Sequence, residues 1–219
     1  AGFAHIEGFG SLQNVAQAKG EIYAALPVSG CAVINVADDF ASYWKSVSCA
    51  NKQVTFSSES LAQVTATDVV VEDQLSFNLH IHEKSVRVSL SMLGEHNVNN
   101  ALAAAAAAHA VGIDLDVIKQ GLEVAANVSG RMCSVPGASG ALIIDDAYNA
   151  NPSSMRAAID ALRSIPRYKR RVLVFGDMLE LGAEAEKFHR EVAQYAKQQG
   201  VDKLFTFGQL ASVCADVFG

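Results

Sequence analysis

The stretch from residue 141 to residue 155 constrains the fold of this chain more than any other. An apolar run is followed by the acids Asp145 and Asp146 and then by a segment rich in asparagine. This order predicts a buried strand that turns into a helix, with Asn151 as the N-cap and Pro152 at the first helical position. Ligands of open α/β sheets bind beyond the carboxyl ends of the strands, so the two acids are candidate ligand contacts. Alternatively, acids at this position could do no more than favour the N-terminus of the following helix.

Beyond residue 141 the pattern alternates between strand and helix. The predicted strands are 142–145, 172–175 and 204–207, and the predicted helices are 153–164, 183–199 and 209–218. Such alternation is typical of a parallel sheet with right-handed crossover helices. No strand leads into a G-x-G-x-x-G fingerprint, which argues against a Rossmann-type oxidoreductase.

The first 128 residues combine helices with a block of period-two alternation. The predicted helices are 12–26, 40–49, 97–110 and 114–125, and the predicted strands are 31–36, segments near Val54 and Val69, and a hairpin of 77–81 with 86–90 that turns at 83–85. Segment 127–130 is rich in turn residues and is predicted to link two domains. We therefore predict an α/β fold, with a mixed sheet and helices in a domain 1–128 and a partial Rossmann-like parallel α/β domain at 129–219.

Composition and charge narrow the class of protein. The 219 residues are 50% hydrophobic and 18% charged, which supports a packed core in one large domain or two small ones. The net charge is −6 and no cluster of lysine or arginine stands out, so we expect no nucleic-acid or anionic-membrane partner. The four cysteines are scattered without a C-x-x-C pair, which predicts small buried hydrophobes in a reducing compartment. With no signal segment and no apolar stretch of about 18 residues, a cytoplasmic protein without membrane insertion is expected.

Lys19 is the most unusual residue of the first predicted helix, because it falls on the apolar stripe of that helix. Burying an ammonium without a partner is costly, and a buried lysine tends to lose its charge. Lys19 therefore either extends from the edge of the stripe into solvent, or meets an anion, or is modified. His5 lies in the loop before this helix and could face the same cavity.

Asn97 and Asn100 lie three residues apart at the start of an alanine-rich helix, and hence on one helical face. Carboxamides offer both a donor and an acceptor, which suits the edge of an adenine; ordinary capping by Asn97 is the alternative. Arg131 follows the linker and could bind a phosphate bidentately. The turn 176–182 is a further candidate, because Gly176 permits close approach of a ligand and the acids behind it could face that ligand.

Seven segments of the chain resemble, in the same order, signatures of the Mur ligases, the ATP-dependent amide-forming enzymes of peptidoglycan synthesis. They are residues 4–11, 16–22, 34–39, 94–103, 130–132, 145–155 and 174–182. The last two resemble most the members that add D-alanyl-D-alanine to a UDP-N-acetylmuramoyl-tripeptide. The resemblance implies that the first half is the remnant of a central P-loop-type ATPase domain and that the second half belongs to the carboxyl-terminal domain.

The resemblance implies catalytic roles for three residues. His5 resembles a ligand of the second Mg²⁺, and Lys19 resembles the lysine that is carbamylated in Mur ligases. Carbamylation replaces an ammonium with an anion whose oxygens are hard ligands of the kind that Mg²⁺ prefers. Arg131 resembles the arginine that approaches the nucleotide phosphates.

Contacts to the nucleotide and to the substrates are implied in the same way. Asn97 and Asn100 resemble the asparagines that contact adenine, and Asp146 resembles the aspartate on the ribose of ATP. A surface that closes over the nucleotide and the incoming dipeptide is implied for three residues: Tyr148, Asn149 and Asn151.

The implied reaction is an ATP-driven ligation. The terminal carboxylate of the tripeptide attacks the γ-phosphate, and the amine of D-alanyl-D-alanine displaces phosphate from the acyl phosphate. The implied cofactors are ATP and Mg²⁺, and the implied parent enzyme is a monomer.

The chain also departs from the family pattern. It contains no G-x-x-x-x-G-K-[ST] phosphate loop, and it lacks the UDP-sugar-binding domain, the upstream acidic metal ligand and the distal carboxyl-terminal region of the family. We therefore expect a fragment that is inactive by itself. The alternatives are a non-catalytic adenine-nucleotide-binding module and a folylpolyglutamate-synthase-like ligase, although segments 145–155 and 174–182 argue against the latter.

Overall fold

The computed structural model describes residues 1–2, 6–71, 74–92, 94–125 and 128–219. The chain divides into two compact units, and each is described by itself. The first unit comprises residue 1 and residues 13–126, and the second comprises residues 2–12 and 127–219. The grouping of residues 2–12 with the second unit was not anticipated, and the domain limits 1–128 and 129–219 stay a prediction.

The described residues contain both helices and strands. In chain order they are α1 (Ile6–Phe9), α2 (Leu12–Ala24), β1 (Cys31–Asn35), α3 (Ala41–Val47), β2 (Lys52–Ser57), β3 (Val64–Val71), β4 (Leu75–Ile81), β5 (Lys84–Leu90), α4 (His96–Ala110), α5 (Leu115–Val124), β6 (Cys133–Pro136), β7 (Leu142–Asp145), α6 (Pro152–Ser164), β8 (Val172–Gly176), α7 (Ala185–Gln198), β9 (Lys203–Phe207) and α8 (Cys214–Phe218). Short 3₁₀ turns lie at Ala138–Gly140, Gly182–Glu184 and Ala211–Val213. The predicted α/β class is confirmed.

The first unit is built on a five-stranded mixed sheet whose strands follow sequence order from β1 to β5. The pairs β1–β2 and β2–β3 are parallel, whereas β3–β4 and β4–β5 are antiparallel. The predicted hairpin is β4–β5, with Ile81 opposite Lys84. Its turn is therefore His82–Glu83, one residue earlier than predicted, and His82 adopts a left-handed φ of 54°.

The core of the first unit lies between this sheet and helix α4. Alternate residues of β4, among them Phe77 and Leu79, are fully buried and pack against Leu102 of α4. The alanines at 101, 105 and 106 are also buried, so small side chains let α4 lie close to β1, β2 and β3. Helix α5 completes the layer by packing against β5.

Helix α2 buries a narrower face than its sequence predicts. Val15, Ala16 and Gly20 are buried, whereas Lys19 and Ile22 are exposed. Lys19 thus lies beside the buried face rather than on it, which agrees with the alternative that its side chain extends from the edge of the stripe into solvent. The close approach at Gly20 explains the narrow face, because a Cβ atom there would lie 2.9 Å from the Tyr43 ring.

The second unit contains two separate two-stranded sheets. The parallel pair β8–β9 agrees with the predicted parallel arrangement. Strand β7, which was expected to join that sheet, instead pairs antiparallel with β6. Sequence reasoning missed β6 because it is only four residues long, mostly exposed, and ends on a proline.

Helix α7 anchors the core of the second unit. It buries Phe188, Val192, Ala193 and Ala196 against the inner face of β8. The predicted last helix, 209–218, is shorter than expected, because only Cys214–Phe218 is α-helical behind a 3₁₀ turn. None of the helices in the described ranges combines the length and the apolar composition that a bilayer-spanning helix requires.

The four cysteines differ in their surroundings, although they were all predicted to be buried. Cys214 is buried, Cys31 and Cys133 are half-buried, and Cys49 is exposed; all four thiols are free. Burial raises the pKa of the Cys214 thiol to about 11. Cys214 is therefore a packing residue that stays protonated at neutral pH.

Candidate functional site

The turn after β7 meets the segment that leads into β6. The backbone N–H of Tyr148 donates to the carbonyl oxygen of Gly130 over 3.0 Å. The backbone N–H of Met132 donates to Oδ1 of Asp146 over 3.1 Å. These two bonds hold the chain on both sides of Arg131 against the turn that carries the acids.

Gly130 is required at this meeting point. Its φ is +75°, and a Cβ atom there would lie 3.1 Å from the nitrogen of Tyr148 and 3.2 Å from its Cβ. Only glycine combines a left-handed backbone with so close an approach at low cost. Nothing in the linker composition pointed to this partner, because Tyr148 lies 18 positions along the chain.

Arg131 lies over the aromatic ring of Tyr148, with its guanidinium carbon 4.3 Å from the ring centroid. Both side chains are exposed, and Tyr148 has 67% of its surface accessible. A guanidinium over a ring face is attracted by the negative charge of the π face. The structure therefore brings three of the predicted site residues together: Arg131, Asp146 and Tyr148.

The amides of the same turn have local hydrogen bonds. Asn151 caps helix α6 as predicted, and its Oδ1 accepts from the N–H of Ser154 over 2.9 Å in a complete capping box. Oδ1 of Asn149 accepts from the N–H of Ala150 over 2.9 Å. These bonds shape the turn, so Asn149 and Asn151 have structural roles in addition to the substrate contact that was predicted for them.

In the first unit, Asn97 and Asn100 contact each other at the start of α4. Nδ2 of Asn100 donates to Oδ1 of Asn97 over 2.9 Å. Asn97 is 7% exposed and Asn100 is exposed. The capping alternative for Asn97 was wrong, because α4 already begins at His96 and Glu95 occupies the N-cap position.

Lys19 lies in a shallow depression on the surface of the first unit, together with Ile22, Tyr23 and Trp44. Trp44 fixes one wall, since its Nε1–H donates to the carbonyl oxygen of Ala16 over 2.9 Å. His5, the predicted partner of Lys19, lies outside the described residues. Within the described ranges, no three side chains of His, Cys, Asp or Glu are grouped closely enough to hold a metal ion.

The turn 176–182 is built differently from the turn after β7. Asp177 accepts from the N–H of Ala211 over 2.7 Å and from that of Gln209 over 3.1 Å. The bond from Ala211, with those from Leu210 and Gln209, lowers the pKa of the Asp177 carboxyl below its usual value. Asp177 thus holds the chain that follows β9, rather than simply facing a ligand.

His189 is buried against that turn and binds its backbone. This residue was not identified from the sequence. It is fully buried, and its ring stacks on Phe175 with 5.4 Å between centroids. Nε2 accepts from the N–H of Met178 over 2.9 Å, and Nδ1 lies 2.7 Å from the carbonyl oxygen of Ala185. A carbonyl can only accept and a backbone N–H can only donate, so Nδ1 is the donor of the ring and Nε2 is its acceptor. The position of residue 189 beside the apolar stripe of α7 was the sequence signal that could have predicted its burial.

Two family models match the chain. The model described as "Mur ligase middle domain" matches residues 1–108, and the model described as "Mur ligase, glutamate ligase domain" matches residues 130–217. Together they account for most of the chain.

Individual proteins give the same result. The chain is 43% identical to the UDP-N-acetylmuramoyl-tripeptide--D-alanyl-D-alanine ligase of Escherichia coli K12, over 99% of this chain and 48% of that relative. A crystal structure of MurF from Acinetobacter baumannii matches with a TM-score of 0.91 and 34% identity, over 99% of this chain and 47% of that one. MurF ligase from Thermotoga maritima in complex with ADP shares the fold, with a TM-score of 0.85 at 24% identity, over 97% of this chain and 48% of that one. The chain spans about half the length of the curated relatives it matches.

Proposed function

The chain belongs to the Mur ligase family, and from this premise we propose that its parent enzyme catalyses the ATP-dependent addition of D-alanyl-D-alanine to a UDP-N-acetylmuramoyl-tripeptide. One observation carries the proposal: the 43% identity, over nearly the whole of this chain, to a relative whose name states that ligation. The substrates are ATP, the tripeptide nucleotide and the dipeptide. A carboxylate oxygen of the tripeptide attacks the γ-phosphorus of ATP, and ADP leaves. The dipeptide amine then attacks the carbonyl carbon of the acyl phosphate, loses a proton and expels inorganic phosphate.

In the second unit, Arg131 and Asp146 are the groups we assign to the nucleotide. The Tyr148 ring contacts the face of the Arg131 guanidinium. The N–H groups of a guanidinium lie in its plane, so they can still bind phosphate oxygens bidentately. Such a contact stabilises the charge of the transferring phosphoryl group. Asp146 lies two residues from Tyr148 in the same turn, and its carboxylate would accept from a ribose hydroxyl. Tyr148, Asn149 and Asn151 form the surface that we assign to closure over the nucleotide and the dipeptide.

In the first unit, Asn97 and Asn100 are assigned to adenine. Asn100 is exposed and uses its Nδ2 donor on Asn97. This bond leaves the carbonyl oxygen of Asn100 to accept from an exocyclic amine such as that of adenine. The complex of the Thermotoga maritima relative with ADP is consistent with a nucleotide ligand for this fold.

Mg²⁺ would be held by His5 and by Lys19 after carbamylation, and it would neutralise charge on the phosphates. Lys19 is exposed in its depression and therefore open to modification. The described residues supply no three-ligand group around it, so no step of the reaction is derived through the ion. Carbamylation can be tested by ¹³C NMR in labelled bicarbonate, where a carbamate signal should disappear in a Lys19→Ala variant.

The 219-residue polypeptide is proposed to bind nucleotide without turning it over, because its sequence contains no phosphate loop. We further propose a monomer that acts in the cytoplasm, with no nucleic-acid partner. Steady phosphate release from ATP by the purified chain, above that of a Lys19→Ala variant, would contradict the lack of turnover.

Calorimetric titration of ATP with Mg²⁺ into the chain tests the assignment of the nucleotide site. We expect Asp146→Ala to weaken binding about tenfold, which corresponds to the loss of one hydrogen bond to a charged group. Asp145→Ala is the matched control from the same turn and should leave the affinity within about twofold. Equal affinities for the two variants would remove Asp146 from the site.

A further inference from the structure

The ring of Tyr148 is exposed, and the main chain from which it extends is held in place. Its own N–H is bonded to Gly130, and the closeness of that approach leaves room for no side chain at residue 130. A large aromatic residue with 67% of its surface accessible is not a core residue. Its described neighbour is the Arg131 guanidinium, 4.3 Å from the ring centroid.

Three consecutive residues engage the turn. Gly130 bonds to the backbone of Tyr148, Arg131 covers its ring, and Met132 bonds to Asp146. The backbone bonds on either side restrict the Cα of Arg131, and the ring restricts the far end of its side chain. A long side chain held at both ends loses less conformational entropy when it binds a ligand, which raises affinity.

The kind of contact matters as much as its position. Arg190 on α7 pairs with the carboxylates of Glu186 and Asp216, which raise the pKa of its guanidinium and offset its charge. A ring instead attracts Arg131 through its face and consumes none of the in-plane N–H donors. Arg131 therefore keeps its positive charge and its donors for an anionic ligand.

We propose that Tyr148 is the positioning residue of Arg131: it holds the guanidinium ready for the phosphates of the nucleotide, and its contribution to nucleotide affinity is made through Arg131. This inference rests on the proposed function for the identity of the anion. It differs from the substrate contact that resemblance implies for Tyr148, because the effect of the ring passes through Arg131.

The test compares Tyr148→Phe, Tyr148→Leu and Arg131→Ala in the full chain. In NMR spectra without ligand, the side-chain protons of Arg131 should be shifted by the ring current in the unmodified chain and in Tyr148→Phe. The shift should vanish in Tyr148→Leu. Shifts of Arg131 that are the same with and without the aromatic ring would overturn the proposal.

Calorimetry with ATP and Mg²⁺ gives the second readout. Tyr148→Phe should bind like the unmodified chain, and Tyr148→Leu should bind about two- to fivefold more weakly, in keeping with the strength of an exposed cation–π contact. In an Arg131→Ala background, Tyr148→Leu should have no further effect, since the two residues act as one. A further loss in that background would show direct contact with the ligand and overturn the positioning role.

Tyr195→Leu is the matched control, because Arg156 lies over the Tyr195 ring at 4.8 Å but also pairs with Glu191. It should leave ATP affinity unchanged. If the unmodified chain binds no ATP, the proposed nucleotide site of this chain fails and the nucleotide part of the inference falls with it. The ring-current shift would still decide whether Tyr148 positions Arg131.

Discussion

Two turns of the second unit each carry an aspartate that accepts from the backbone of another segment, but they differ in the burial of their other side chains. Each follows a strand, carries an aspartate at or just after the end of that strand, and leads towards a helix. After β8, Met178 and Leu181 are buried, and Asp177 is bonded to the chain beyond β9. After β7, Tyr148 and Asn149 are exposed, and the Arg131 guanidinium lies over the Tyr148 ring. A strand that ends in an acid therefore marks a turn, but the partners of that turn decide whether it is structural or open to ligands.

The largest expected effect comes from removing His189. His189→Ala leaves the N–H of Met178 and the carbonyl of Ala185 without their partner and opens a cavity under Phe175, so we expect a loss of about 2–4 kcal/mol in the free energy of unfolding. Urea denaturation followed by circular dichroism measures this loss. Trp44 is the chain's single tryptophan and lies in the first unit, so its fluorescence reports that unit separately.

Tyr148→Ala is the counterpart in the exposed turn and should cost less than about 1 kcal/mol, because its backbone bond to Gly130 remains. If both variants were equally destabilised, the division into a structural turn and an open turn would be wrong.

The glycine at the meeting point gives the next largest effect. Gly130→Ala has to adopt a left-handed φ and push against Tyr148, so we expect a loss of about 2–3 kcal/mol. Gly140→Ala is the matched control, with a φ of +79° and no atom within 4 Å of the added Cβ. It should cost only the backbone strain, about 1 kcal/mol. Urea midpoints of the two variants measure the two losses in the free energy of unfolding. A loss in Gly140→Ala as large as that in Gly130→Ala would show that the close approach to Tyr148 is unimportant.

Local signals in the sequence predicted much of this architecture. The Asn151–Pro152 pair predicted the start of α6, because the cap and the fixed φ of proline act within one helical turn. Period-two alternation predicted the β4–β5 hairpin to within one residue at its turn. The grouping of Arg131 with Asp146, in contrast, was implied by resemblance to Mur ligases rather than by any local rule.

Several contacts in the second unit could not be predicted. β7 pairs with β6 across the short connection 137–141, and the sequence did not show this pairing because β6 is mostly exposed and ends on a proline. The bond from Ala211 to Asp177 spans 34 residues and the bond from Met132 to Asp146 spans 14, so no local pattern in the sequence showed the backbone partner of either carboxylate. The apparent stripe on α2 failed for a similar reason, since the Tyr43 ring that fits against Gly20 lies on another helix.

The smallest effect concerns the acid of the structural turn. The pKa of Asp177 is lowered in the folded chain, so its charged form stabilises the fold above the unfolded pKa, about 3.9 for an aspartate, and this contribution is lost as pH falls through the lower folded pKa. Asp177→Asn should therefore lower stability at pH 7 and flatten the fall in stability below about pH 4. Urea midpoints between pH 2 and pH 7 would measure both, with Glu184→Gln as a control for the loss of one negative charge. The stability of Asp177→Asn could instead depend on pH as steeply as that of the unmodified chain. The bonds from Ala211 and Gln209 would then not depend on the charge of Asp177, and the turn after β8 would be held by His189 and by the buried side chains of the turn alone.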